Sequence, residues 1–286
     1  MKNMNILIAG GDTRQLFCAA RLAREYSIGI MGFDSEYLPE GISLPAADIS
    51  EGRYDCAVLP VPPLNDNGDI LAPCSSHSLP TETISRLLKD GGCILAGRVS
   101  DGLRAAFPHH DIMDYMLREE LNLRNAVPTA EGAVQIALEE LPVTLSCLDV
   151  LIVGLGRIGT ALAEILKGFG AHVTAAVHNP RGAAKARLCG ISSIPTRRIS
   201  GGYRLVFNTV PYLVFDSDML GRFGKDTLFI DLASKPGGID FDAAAALGLR
   251  AVWALGLPGR TAPVTAGEII AETVSTMLAE RSETHE

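Results

Sequence analysis

Three glycines define the chemistry open to this sequence. Gly154, Gly156 and Gly159 form a Gly-x-Gly-x-x-Gly run with Leu155, Arg157 and Ile158 between them. The run follows an apolar stretch at 150–153 and opens a helical stretch at 157–169. In that setting the first glycine makes a tight turn, the second lets backbone amides approach a diphosphate, and the third lets helix and strand pack closely. Amides at a helix N-terminus carry partial positive charge, which favours a phosphate. A compact turn with no ligand would also use glycine, but the full motif in register with strand and helix favours a bound dinucleotide.

A protein that holds NAD places Asp or Glu about 20 residues further on, where it bonds the ribose 2′-hydroxyl. Here the second strand ends in Val177-His178-Asn179-Pro180-Arg181, and no acidic residue occurs from 165 to 215. Several cations do, and of these Arg187, Arg197 and Arg198 read as solvated charges on helix faces. Arg181, with His178 and Asn179 beside it, suits a 2′-phosphate through charge-assisted hydrogen bonds. The expected cofactor is therefore NADP, with NAD as the alternative.

Strand ends further along supply more candidates, because an open parallel sheet holds its ligand at the carboxyl edge. Asn208, Thr209, Val210 and Pro211 follow one strand, Asp231, Ala233 and Ser234 the next, and Leu257 and Pro258 the last. Ordinary turn chemistry accounts for the later two sets equally well. Near the N-terminus Gly10-Gly11-Asp12-Thr13-Arg14-Gln15 opens a helix. Its amides and Arg14 suit an anionic substrate group, while Asp12 or Thr13 alone would be a helix cap. Gly11, Asp12, Arg14, Ser100, Thr129, Glu131 and Arg260, with Arg98 as a further arginine, are candidates for substrate contact. Glu131 reads equally as a residue near a helix start, placed for capping or for the dipole. No catalytic residue can be named and no metal is expected.

The elements that must position these residues alternate strand and helix. Apolar runs at 5–9, 28–33, 56–61 and 93–96, with helical patterns at 13–26 and 81–89, predict a first doubly wound parallel sheet. The proline-rich stretch 60–80 reads as a surface loop or flap. A helix over 128–141, with Pro128 in its first turn, is expected to bridge to a second domain. Runs at 150–153, 172–177, 205–208, 228–232 and 250–254 predict five strands of a nucleotide-binding sheet. The expected organisation is α/β: a flavodoxin-like domain at 1–126, a Rossmann domain at 127–264, and a terminal helix at 265–286 that completes the first domain. The substrate is expected in a cleft between the two.

Bulk composition sets limits. A length of 286 residues suits two domains, and 47% hydrophobic with 20% charged residues is a globular composition. A formal charge of −8 disfavours nucleic acid as a partner. The longest apolar runs are too short for a membrane span, and the start of the sequence runs into a strand without a secretion pattern, so a cytoplasmic protein is expected. The six cysteines are scattered, with no Cys-x-x-Cys pair, which disfavours metal or disulfide chemistry.

Taken together, the motifs are familiar. Gly-Gly-Asp-x-Arg-Gln at 10–15, Pro-Thr-Ala-Glu-Gly at 128–132 and Gly-Leu-Gly-Arg-Ile-Gly at 154–159 occur with Asp-Leu-Ala-Ser-Lys-Pro-Gly-Gly-Ile-Asp at 231–240 and Pro-Gly-Arg-Thr-Ala-Pro at 258–263. By these residues the sequence resembles the dipicolinate synthase A-chain family over nearly its whole length. It departs from that pattern in the 60–80 loop and at 178–181, where the family has Arg-Ser-Ser. The resemblance implies NADP-dependent oxidation of dihydrodipicolinate, a small dicarboxylate, to dipicolinate during sporulation. It further implies a partner, the dipicolinate synthase B chain, and the mother-cell cytoplasm, and a homo-oligomer is expected. One alternative is a non-catalytic NADP-binding member of the same complex. Another is a 2-hydroxyacid-type dehydrogenase, disfavoured because the one histidine after His178 is His285.

Overall fold

The structure, a computed structural model, describes residues 4–284, so the first three residues, and His285 and Glu286, the last two of the expected terminal helix, lie outside it. Two compact units are present, one made of Met1–Asn125 with Ala262–Glu286 and the other of Ala126–Thr261.

In sequence order the first unit contains β1 (Asn5–Ala9), α1 (Thr13–Leu22), β2 (Ser27–Met31) and β3 (Tyr54–Val58). It continues with α2 (Thr81–Leu87), β4 (Leu88–Ala96), α3 (Asp101–Ala106) and β5 (Asp111–Asp114). The five strands are parallel, in the order β2-β1-β3-β4-β5. Side chains of a strand alternate between the two faces of the sheet. Ile6 and Ile8 accordingly pack with Leu16, Ala19 and Val274, whereas Leu7 and Ala9 pack with Leu59, Ile84 and Leu103. Strand β5 is absent from the sequence-based expectation, because a four-residue edge strand reading Asp-Ile-Met-Asp has neither an apolar run nor clean alternation.

The stretch between β3 and α2 is not a surface flap. Ile70, Cys74 and Leu79 are buried, and the Leu71 carbonyl accepts the Gly11 N–H at 2.7 Å. Backbone bonds from Ile70 to Leu79 and from Leu71 to Pro63 tie the strap down, so its prolines shape a packed loop.

Helix α4 (Glu119–Glu140) starts nine residues earlier than its proline suggests, and Pro128 lies inside it. Glu119 and Glu120 in the first turn suit the positive end of the helix. Proline there removes the bond to the carbonyl four residues back. Burial of Ala126, Ala130, Ala133, Val134 and Ala137 along one face carries the helix through that loss.

The second unit runs β6 (Asp149–Val153), α5 (Arg157–Gly168), β7 (His172–Val177), α6 (Pro180–Leu188), β8 (Ser192–Pro195) and β9 (Leu205–Asn208). Then come α7 (Ser217–Leu220), β10 (Leu228–Asp231), α8 (Phe241–Ala246), β11 (Arg250–Trp253) and α9 (Leu257–Thr261). Its sheet has six parallel strands, not five, ordered β11-β10-β9-β6-β7-β8. The extra strand is β8, another short edge strand, reading Ser-Ser-Ile-Pro.

Helix α10 (Pro263–Thr284) packs along α1 in the first unit. Arg118 forks onto Glu280 with bonds of 2.7 and 2.8 Å, and Arg124 pairs with Glu272. The helices meet at Gly267, where a Cβ would lie 2.4 Å from the Arg14 carbonyl oxygen and 2.7 Å from Phe17 Cβ.

Replacing a helical glycine by alanine normally stabilises by about 0.5–1 kcal/mol. At Gly267 the sign reverses, because the methyl group meets backbone of α1 and Phe17 Cβ, none of which is the free end of a flexible side chain, and overpacking costs about 1–3 kcal/mol. Gly267→Ala is expected to lower the thermal midpoint by a few degrees. Gly168→Ala in α5, where a Cβ meets nothing within 4 Å, is expected to raise it or leave it unchanged. Scanning calorimetry of both variants checks the pair, and a stabilised Gly267→Ala would disprove the close crossing.

Candidate functional site

The strand order of the second unit reverses direction at β6, with β7 on one side and β9 on the other. Connections from such neighbours leave over opposite faces, and their carboxyl ends bound a crevice. The glycine run sits there. Gly154 has φ +87°, and a Cβ on it would lie 2.6 Å from Thr209 Oγ1 and 2.7 Å from Val210 Cγ1. Thr209 in turn donates to the Val153 carbonyl at 2.8 Å, stitching β9 to β6. At Gly159 a Cβ would be 2.1 Å from the Gly154 carbonyl oxygen.

The fold therefore demands glycine at 154 and 159, and it makes no such demand at 156. Gly156 has φ −79°, open to any residue, and its missing Cβ would meet nothing within 4 Å. Gly156 also precedes α5 with no side chain capping the helix. The first turn thus presents backbone N–H groups beside open space, which is the cradle a diphosphate requires. Leu155 is buried and Ile158 packs on the core, so these two contribute backbone only, while Arg157 is exposed at the turn.

At the end of β7, His178, Asn179 and Arg181 are exposed. Asn179 caps α6, its Oδ1 accepting the Gly182 N–H at 2.8 Å, and its Nδ2 lies 2.9 Å from His178 Nε2. Both side chains are thus committed locally, whereas Arg181 makes no hydrogen bond or ion pair among the described residues. Gly182 belongs to no motif and is not among the residues the sequence singles out. A Cβ there would lie 2.8 Å from Val177 Cβ, so it permits the tight β7–α6 turn that presents Arg181.

Asn208 and Asp231 sit deeper than expected, both fully buried. Asp231 accepts from Asn208 Nδ2 at 2.7 Å, from Ala233 N at 3.0 Å and from Gly238 N at 2.7 Å. Asn208 Nδ2 also reaches the Val210 carbonyl at 2.9 Å. With their polar atoms spent in this way, the pair holds the loops after β9 and β10 from beneath. Pro211 and Ser234 are exposed at the same edge, and Ala233 is buried. Leu257 is a core residue against Gly132, and Pro258 is buried with it, so their side chains face the interior.

In the first unit the expected free amides are partly taken. Gly10 N–H bonds the Met31 carbonyl at 2.9 Å and Gly11 N–H the Leu71 carbonyl. Asp12 caps α1 through the Arg14 N–H at 3.1 Å and also binds the Arg14 guanidinium at two edges, 2.8 Å each. Burial opposes the Arg14 charge, but the hydrogen bonds and charge of Asp12 outweigh it and leave its pKa above the ordinary arginine value.

The remaining candidates are scattered. Ser100 caps α3 by accepting the Leu103 N–H at 3.2 Å, and Arg98, at φ +60°, is exposed. Glu131 is exposed in the middle of α4, so neither a capping nor a dipole role is open to it. Thr129 is half-buried on that helix, and Arg260 is exposed on α9.

Residues 5–116 match the family model for the N-terminal domain of the dipicolinate synthase A chain. Residues 122–234 match the NAD binding domain of D-isomer specific 2-hydroxyacid dehydrogenases. The dipicolinate synthase A chain of Bacillus subtilis (strain 168) is 28% identical, the alignment covering 98% of this chain and 97% of the relative. Its counterpart among solved structures, the crystal structure of the Bacillus subtilis A chain, superposes with a TM-score of 0.86 at 27% identity, over 99% of this chain and 98% of that one. The A-chain structure from Bacillus halodurans gives 0.85 at 28% identity, over 96% and 98%.

Gly156→Ala and Gly159→Ala are expected to fail differently. The first leaves the melting temperature unchanged while a methyl group in the cradle weakens dinucleotide binding about 10- to 100-fold. The second lowers the melting temperature, because its methyl group meets backbone. Calorimetric titration with pyridine nucleotides and thermal melting separate them, and wild-type binding by Gly156→Ala would remove the cradle.

Proposed function

We propose, for a protein that resembles the dipicolinate synthase A chain from end to end, that it is an NADP-dependent oxidoreductase converting dihydrodipicolinate to dipicolinate together with a B chain. The observation that carries the nucleotide part is Gly156, whose missing side chain the fold does not need. The matched NAD binding domain supports a nicotinamide cofactor, and its residues fit the group. Backbone amides of Gly156, Arg157 and Ile158 hold the diphosphate at the start of α5. Arg181, exposed and unpaired, meets the 2′-phosphate, with His178 and Asn179 shaping its surroundings. Thr209, Val210, Pro211, Ala233 and Ser234 line the remaining edge, fixed by the Asn208–Asp231 pair.

When bound, the nicotinamide would supply the hydride acceptor, and the second hydrogen of the substrate ring would leave as a proton to solvent. Aromatisation drives that loss, so the protein's main task is to place the ring and its carboxylates. In this reading Arg14, held in place by Asp12, receives a carboxylate of the substrate.

A second reading, an NADP-binding protein without chemistry of its own, draws on one observation. The carboxylate and the histidine among the assigned nucleotide-edge residues, Asp231 and His178, are both engaged in local hydrogen bonds.

Turnover of dihydrodipicolinate with NADP+ by the purified protein, with and without its B-chain partner, separates these readings. Arg181→Ala is expected to weaken NADP binding about 10- to 100-fold, the value of a charge-assisted contact, while NAD binding changes little. Equal losses for both nucleotides would rule out Arg181 as the 2′-phosphate residue.

A further inference from the structure

We infer that the cavity at the carboxyl ends of β1 and β3 is a pocket for a carboxylate with an adjacent N–H, and that Gln15 is its specificity-determining residue. The inference deepens the proposed function and rests on it only for the identity of the natural substrate.

The position follows from topology. In the order β2-β1-β3-β4-β5 the sheet reverses between β1 and β3. Helix α1 packs on the face of Ile6 and Ile8 and α2 on the face of Leu7 and Ala9, so the two connections diverge. A divergence of this kind opens a crevice at the strand ends. The cavity found there has a volume of about 30 Å³, enough for a water or one small planar group. Its walls include Gly11, Arg14, Gln15, Pro60, Val61 and Tyr115.

Gln15 is 2% exposed, yet neither its Nε2 nor its Oε1 makes a hydrogen bond. Buried polar atoms are nearly always satisfied, so an amide with both ends unmet calls for a partner. The neighbouring Tyr115 hydroxyl donates to the Leu59 carbonyl at 2.8 Å, so toward Gln15 it can act only as an acceptor near Nε2, and Oε1 has no donor from it. Gly11 keeps the amide in place, because a Cβ there would lie 2.5 Å from Gln15 Cγ.

The chemistry of the partner follows from the donors and acceptors left over. Arg14 spends Nε and one Nη2 proton on Asp12, which leaves the Nη1 side for an anion. Gln15 Nε2 donates and Gln15 Oε1 accepts, so the amide complements a carboxylate oxygen beside an N–H. A nitrogen heterocycle carrying a carboxylate next to a ring N–H has that arrangement. A fully aromatic pyridine carboxylate lacks the N–H and leaves Gln15 Oε1 unmet, so this pocket prefers a ring that carries N–H to the aromatic ring.

The test uses the whole protein and three probes: piperidine-2-carboxylate, cyclohexanecarboxylate and pyridine-2-carboxylate. Wild-type protein is expected to bind the first at least about tenfold more tightly than the other two, by ligand-observed NMR titration. Gln15→Met, which matches the side chain in length, is expected to abolish the preference without lowering the melting temperature. Equal binding of all three probes, binding of none, or a preference retained by Gln15→Met would overturn the inference. So would a destabilised Gln15→Met, which would point to a structural water bonded to the amide. If dihydrodipicolinate is not turned over while the piperidine-2-carboxylate preference is present and lost in Gln15→Met, the proposed reaction fails and the pocket stands.

Discussion

Both units depend on the closeness with which a helix start can approach the strand that precedes it. At Gly159 the distance from a built Cβ to the Gly154 carbonyl oxygen is 2.1 Å, nearer than any side chain can come. The first turn of α5 thereby lies directly on the end of β6, and its amides point along the sheet's carboxyl edge. A related closeness appears at Gly10 and Gly11, both at positive φ, where Ile70 and Leu71 of the strap after β3 pack on Gly10 and the Gln15 side chain of α1 packs on Gly11. The backbone amides that these two turns can offer a ligand are set by those close approaches.

What could be seen in the sequence followed from patterns carrying their own physics. Central strands such as 150–153 and 205–208 are buried on both faces and show as apolar runs, and glycines in register with a strand and a helix show as a phosphate turn. Edge strands β5 and β8 carry no such mark, because one flank is open and their residues are mixed. Pro128 misled because proline suits the first turn of a helix, whereas here an alanine face packed on the core carries α4 across it. Asn208, Asp231, Leu257 and Pro258 sit at strand ends, as a binding residue should. Position along the sequence could not reveal which way each side chain points, and all four point inward.

The Asn208–Asp231 pair shows what such inward residues do. A buried carboxylate left unpaired is costly, and Asp231 meets that cost with three N–H donors; it forms no ion pair among the described residues. The donors come from three places: the Asn208 side chain at the end of β9, the Ala233 N–H in the turn after β10, and the Gly238 N–H beyond it. One side chain thus fixes the mutual position of two loops, more rigidly than surface contacts would. Trp253 adds a bond to the Ala233 carbonyl at 3.0 Å and stacks on Phe241, closing the underside of the edge.

The return of α10 to the first unit bears on how the protein matures during translation. The core on one face of that unit includes Ile269, Ile270, Val274 and Leu278, which are translated only after all of residues 126–261. Until they emerge, Leu16, Ala19 and Leu22 of α1 have no helix over them, while the inserted unit already possesses every residue of its own core. Order of completion on the ribosome therefore inverts order of synthesis. The nascent amino-terminal sheet waits, partly uncovered and in need of shielding, for the segment that seals it.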